Sequence, residues 1–201
     1  MNRFSRLSVH VSARAFRRRA AAVLFLAAGL GLSACSGDDE AKKYVERPVS
    51  QIYETALKAM DRADFAFAAQ EFDEVERQHP YSVWATRAKI MAAYAHYLYN
   101  QYDSAIIALD RFIQLHPAHK DVPYAYYLKG LSYYEQISDV SRDQKMTELA
   151  LKSLRELVAR FPNSQYARDA KLKIELTQDH LAGKEMDIGR YYLNQHRYLA
   201  A

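Results

Sequence analysis

Pro80, Pro117 and Pro162 each close an apolar-periodic run that ends in an aromatic or histidine residue: EVERQHP, DRFIQLHP and ELVARFP. Proline lacks the amide hydrogen that a helix interior needs and disfavours helical geometry in the residue before it, so a helix stops at about each of these points. The same ending recurring at a spacing of roughly 40 residues is the mark of a repeat architecture. One helical hairpin cannot bury its own apolar face, so the repeat predicts a stack of them.

The tetratricopeptide template has a period of about 34 residues, small residues near positions 8 and 20, a bulky one near 24 and proline at 32. With Pro80 at position 32, Ala56, Ala68 and Phe72 occupy the three key places, and with Pro117 there, Ala93, Ala105 and Leu109 do. With Pro162 there, Ala150 and Leu154 fit, and Gly130 fits once eight residues are inserted between the helices, an insertion expected at the polar SDVSRDQK of Ser138 to Lys145. Small residues are needed where helices approach most closely, because a larger side chain would force them apart. The expected class is all-α: a tetratricopeptide-like α-solenoid of antiparallel helix pairs over 49–201, with repeats at about 50–80, 84–117 and 121–162 and an incomplete one at 164–201. In the last, helical periodicity without proline predicts one long helix from about 164 to 195, with a kink near Gly183. HRYLAA at the end resembles NQYDSA at 100–105, where a second helix is expected to begin, so the chain reads as a fragment of a longer protein.

The N-terminus follows different rules. Six arginines, at 3, 6, 14, 17, 18 and 19, precede AAAVLFLAAGLGLSA, an apolar run closed by small residues. That is the pattern of a secretory signal over residues 1–34, and the run is shorter than the roughly 20 residues that span a bilayer. Leu32, Ser33, Ala34 and Cys35 resemble the bacterial lipobox, whose cysteine takes diacylglycerol as a thioether. Cys35 is the only cysteine, so no disulfide can form within the chain. A diacylglyceryl group plus an amide-linked acyl chain on Cys35 would anchor the protein durably, and no other cofactor is expected. Residues 35–48, polar and without periodicity, form the lipidated end and a flexible tether.

Of the 28 basic and 24 acidic residues, the signal holds six basic and no acidic ones, leaving 22 against 24 in the mature part. No basic cluster follows Cys35, which argues against nucleic-acid binding. No glycine-rich phosphate loop is present, and no serine or cysteine stands at catalytic spacing from a histidine. His116, His119 and Asp121 imitate a metal site, but His79 and His116 hold equivalent places before proline, where the helix dipole favours them. Neither a metal nor a catalytic site is expected.

The stretches VERPVSQIYETALKAM, RQHPYSVWATRAKIMAAYAHYLYNQYDSAIIALDRFIQLHP, VPYAYYLKGLSYYEQISD and AGKEMDIGRYYL resemble the BamD family, lipoproteins of the outer-membrane β-barrel assembly (BAM) machinery. The resemblance spans Cys35 to Ala201. It implies a five-repeat helical protein of which this chain supplies about three and a half. It also implies N-terminal repeats that handle unfolded outer-membrane β-barrel proteins, and C-terminal repeats that meet a BamA-type outer-membrane insertase and other BAM subunits. Ser36 stands where lipoproteins held in the inner membrane tend to carry aspartate, so the expected place is the outer membrane, facing the periplasm.

Tyrosine is concentrated in repeats two and three. An extended peptide in a solenoid groove would use both its ring and its hydroxyl. On the first helix of each pair Tyr94, Tyr97, Tyr127 and Tyr134 are the groove candidates, with Trp84, although aromatic residues at helical spacing also fill cores. Arg142, Asp143 and Glu185 are candidate partner contacts. Two rival readings remain: another periplasmic tetratricopeptide lipoprotein that coordinates cell-wall synthesis, and a cell-wall hydrolase, for whose catalytic domain the chain has no room.

Overall fold

The structure, a computed structural model, describes residues 46–201. The signal segment, Cys35 and the tether up to residue 45 lie outside the described residues. Seven helices follow in order: α1 (Val49–Asp61), α2 (Phe65–Gln78), α3 (Val83–Leu98), α4 (Tyr102–Leu115), α5 (Val122–Tyr134), α6 (Lys145–Arg160) and α7 (Gln165–Asn194). The described residues contain no strand, and none of their helices is long and apolar enough to cross a membrane.

Each of α2, α4 and α6 ends two residues before its proline, on a cap residue of almost the same geometry: His79, His116 and Phe161, with φ of −133°, −131° and −133° and ψ of 57°, 54° and 58°. The cap amide still bonds back four residues, to Val75, Phe112 and Leu157, and the proline directly after it prevents another turn. The next helix starts on a fresh cap where one is available, as where Ser82 Oγ accepts from the Ala85 amide at 3.1 Å.

Consecutive helices pack in sequence, and the odd-numbered ones also touch each other: α1 with α3, α3 with α5, α5 with α7. The even-numbered helices do not come within 8 Å of one another, Cα to Cα. This asymmetry curves a solenoid and puts its odd helices on the inner side. The described residues thus form the tetratricopeptide-like stack that the prolines imply. Ala56, Ala68, Phe72, Ala93, Ala105, Leu109, Ala150 and Leu154 are all fully buried, and Gly130 is buried with them.

Two apolar clusters hold the stack. Ile52, Ala56, Phe72 and Val75 pack with Ala88, Ala92 and Ala95 of α3. Ile90 and Ala93, from the same helix, join Leu109, Phe112, Leu128, Leu154, Leu157 and Ala170. Serving both, α3 is apolar around most of its circumference, as a helix buried between neighbours must be. The turn inside the third hairpin runs from 135 to 144, against three residues in each of the other two, and Lys145 already belongs to α6. One unbroken helix spans 165–194, and the residues after it make turns rather than a further helix.

Candidate peptide-binding face

Tyr94 and Tyr97 sit one turn apart on α3, Tyr124, Tyr127 and Tyr134 follow on α5, and Tyr166 on α7. Because these three helices meet on the inner side, their tyrosines form one surface across them. The Tyr166 ring stacks on Tyr127 at 5.2 Å and tilts against Tyr124 at 5.4 Å. Tyr127 donates its hydroxyl to Asp169 Oδ2 at 2.6 Å. Lys173 Nζ lies 3.8 Å from the same carboxylate oxygen and 4.9 Å above the Tyr134 ring, so one lysine joins an ion pair to a cation–π contact. On α3, Tyr97 donates to Glu135 Oε1 at 3.3 Å and meets the Tyr102 ring edge-on at 5.7 Å.

Burial pushes the Tyr97 hydroxyl up to about 12, and the Glu135 carboxylate beside it adds to the rise. Tyr124 is raised chiefly by burial. Tyr127 is raised by burial and then by its bond to Asp169. In each case the charged form is disfavoured by desolvation or a neighbouring negative charge. All three hydroxyls are therefore neutral donors at physiological pH. Those of Tyr94, Tyr124 and Tyr134 have no hydrogen-bond partner among the described residues.

Tyr94, Tyr97 and Tyr127 also rest against the second apolar cluster and are half-buried. Each thus packs with one part of its ring and presents the rest. Trp84 stands apart, at the first turn of α3, with its ring 4.8 Å from Tyr53 and about a third of its surface (36%) exposed. Arg142 and Asp143 are exposed on the long turn, and Glu185 is exposed on α7. These three are brought to one region, because Lys184 donates to the Ser141 carbonyl at 2.7 Å and Gly183 abuts Val140. That region is not part of the tyrosine surface.

The chemistry of the face is that of adhesion. It offers flat aromatic area, neutral hydroxyl donors and two carboxylates held by tyrosine, which suits an extended peptide whose backbone needs donors and whose side chains need apolar footing. His119 Nδ1 is 3.6 Å from Asp121 Oδ2, yet no cluster that could hold a metal ion occurs among the described residues. Asp169, Lys173, Tyr166 and Glu135 escaped the sequence reading. The first three lie on the seventh helix at spacings of three or four residues, and that spacing was the available signal. A cleft of about 600 Å³ lies on the opposite side, between α2 and α4, lined by Asp73, Glu76, His96, Ile107 and Arg111 among others.

The model of the YfiO family, described as "Outer membrane lipoprotein", matches residues 45–201. The chain is 51% identical over 185 residues to the outer membrane protein assembly factor BamD of Caulobacter vibrioides, covering 90% of this chain and 59% of that protein. It is 43% identical over 176 residues to the BamD of Rickettsia prowazekii, covering 88% of this chain and 70% of that one. With the BamD of Neisseria meningitidis serogroup B the identity is 33% over 193 residues, 89% of this chain and 72% of the relative. The chain thus spans rather more than half the length of the Caulobacter relative. A stack of helical hairpins matched over its whole described length by that model places this chain in the YfiO family of outer membrane lipoproteins, alongside the assembly factors called BamD.

Proposed function

We propose that this chain is the lipid-anchored periplasmic scaffold of an outer-membrane β-barrel assembly machinery, and that its tyrosine face holds extended segments of unfolded barrel proteins. The carrying observation is the continuous aromatic surface across α3, α5 and α7, in a chain whose relatives are named assembly factors. An unfolded barrel protein is an alternation of apolar and polar residues in extended form. Half-exposed tyrosine rings give its apolar side chains footing, and unpartnered hydroxyls reach its backbone. Acyl chains on Cys35 keep the helices beside the membrane, and a BamA-type insertase with the other BAM subunits docks toward the C-terminal side. The task is binding, without a reaction. Similarity to assembly factors favours this over a role in cell-wall synthesis.

The test is photocrosslinking of a barrel-protein peptide to the chain. Tyr94→Ala with Tyr97→Ala is expected to reduce crosslinking several-fold at unchanged helical circular dichroism. Unchanged crosslinking would assign both tyrosines to packing alone. Recovery of cell-wall synthases without any barrel-assembly protein in a pull-down from solubilised membranes would overturn the wider reading.

A further inference from the structure

The turns α2–α3, α4–α5 and α6–α7 occupy equivalent places in the stack, yet they differ in what they show to solvent. After Pro117 come Ala118, His119 and Lys120, and after Pro162 come Asn163, Ser164 and Gln165. After Pro80 come Tyr81, fully exposed at 101%, then Ser82, then Val83, exposed at 86%, and then Trp84. The repeat therefore does not require apolar residues here, and neither side chain packs on anything. Exposed apolar groups gathered at one turn mark a contact surface.

Two further observations identify what covers it. The tether enters the fold at this same turn: the Arg47 amide donates to Gln78 Oε1 at 2.8 Å, and His79 Nε2 bonds the Arg47 carbonyl at 2.7 Å. Cys35 is twelve residues upstream of Arg47, a length of chain that spans no more than about 40 Å in any conformation. Arg77 and Lys89 are ion-paired with Glu74 and Glu76, whereas Arg87, one turn beyond Trp84, is an exposed cation beside the tip. An apolar tip with an aromatic ring and a cation beside it is the composition that settles at the headgroup level of a bilayer carrying anionic lipid.

We infer that the α2–α3 turn, through Tyr81 and Val83, dips into the membrane surface and orients the solenoid on it. The inference rests on the proposed anchor at Cys35, because two apolar side chains alone hold a protein only weakly. Contact at the turn gives the anchored solenoid a fixed posture, with this end of every hairpin toward the lipid.

Two unique residues make the test direct. Cys35 is the only cysteine and Trp84, beside the tip, the only tryptophan. The chain from Cys35 onward is coupled through its thiol to maleimide-bearing phosphatidylethanolamine in vesicles of phosphatidylethanolamine and phosphatidylglycerol, which places it on a membrane whatever a cell does with that cysteine. Trp84 emission is expected to shift to the blue and to lose intensity when the vesicles contain lipid brominated near the headgroup. Tyr81→Ser with Val83→Ser, at fully solvated positions, is expected to abolish both effects without loss of helicity. Emission of the coupled native chain that brominated lipid leaves unchanged overturns the inference. Mass spectrometry of Cys35 from native membranes decides the anchor separately: a dry turn on vesicles sinks the inference even if Cys35 is lipidated, and a bare Cys35 in native membranes removes the anchor on which it rests.

Discussion

Gly130 of α5 faces Leu154 of α6 so closely that a β-carbon at position 130 would stand 2.6 Å from Leu154 Cδ2 and 3.0 Å from its Cγ. Leu154 is fully buried and has nowhere to swing. In the repeat template these are the small residue of the first helix and the bulky one of the second. Gly130→Ala gains up to about 1 kcal/mol of helix propensity. It also forces an overlap that costs about 1–3 kcal/mol in a packed core. We expect net destabilisation in urea unfolding. Leu154→Ala alone is expected to cost about 2–5 kcal/mol. In the double variant the new methyl enters the vacated space, so the two costs should fall short of additive by more than about 0.5 kcal/mol. Simple additivity would mean that the hairpin relaxes apart instead.

Arg47 grips Glu71 with two bonds, Nη1 to Oε2 at 2.8 Å and Nη2 to Oε1 at 3.1 Å. The Glu71 side chain is 11% exposed and that of Arg47 31%. Removing the arginine leaves a largely buried charge without its partner, so Arg47→Ala is expected to lower stability by about 1–3 kcal/mol. Glu71→Gln should cost less, because it removes the charge along with the pairing. Urea unfolding of both variants checks the order, and a reversed order would show the pair to be solvent-screened.

The helices and their small-residue contacts were legible in the sequence because proline and alanine act locally. Pro80, Pro117 and Pro162 stop helices by their own stereochemistry, Ala56 and Ala93 mark close approaches at one fixed distance before their prolines, and Gly130 marks the same place once the longer turn of its hairpin is allowed for. The tyrosines were legible as an excess without assigned partners. Tyr127 and Asp169 are 42 residues apart, and only the superposition of α5 and α7 brings them to 2.6 Å. Arg47 and Glu71 were hidden for the same reason: a charged residue inside an amphipathic helix reads as solvated until the strand of chain crossing it is known. The turn within the first hairpin was hidden for another, because its left-handed residue is an alanine.

Ala63 adopts φ of 58° between α1 and α2, and Asn100 adopts 61° at the corresponding place between α3 and α4. An L-residue with a β-carbon loses about 1–2 kcal/mol in this conformation, whereas asparagine tolerates it. Ala63→Gly removes that strain but gives the unfolded chain more freedom, worth roughly 0.5–1 kcal/mol. The expected result is a gain of up to about 1 kcal/mol, a rise in Tm of about 2–4 °C for a chain of this size. Asn100→Gly should gain less. Differential scanning calorimetry distinguishes the two, and equal or negative shifts would show that the first turn is not strained.

His96 and His116 are tuned in opposite directions. His96 Nε2 is 3.8 Å from Asp73 Oδ2, and Nδ1 lies 2.9 Å from Gln101 Oε1. The Asp73 carboxylate, and then the Gln101 amide, raise it against the effect of burial. His116 is held below its ordinary value, first by burial and then by the neighbouring Lys89 and His119, and its Nε2 is shielded without a hydrogen-bond partner among the described residues. A raised folded value means that protonated His96 adds stability below the unfolded value of about 6.5, and that this contribution is lost as pH climbs through the folded one. A lowered value means the reverse: neutral His116 keeps its contribution above about 6.5 and loses it as pH falls. His96→Gln should therefore be destabilising near pH 5.5 and close to neutral near pH 8. His116→Gln should gain on the native chain as pH drops from about 7 to 5, since the variant has no buried imidazole to charge. Urea midpoints across that range test both, and slopes of the same sign for the two variants would refute the assignment.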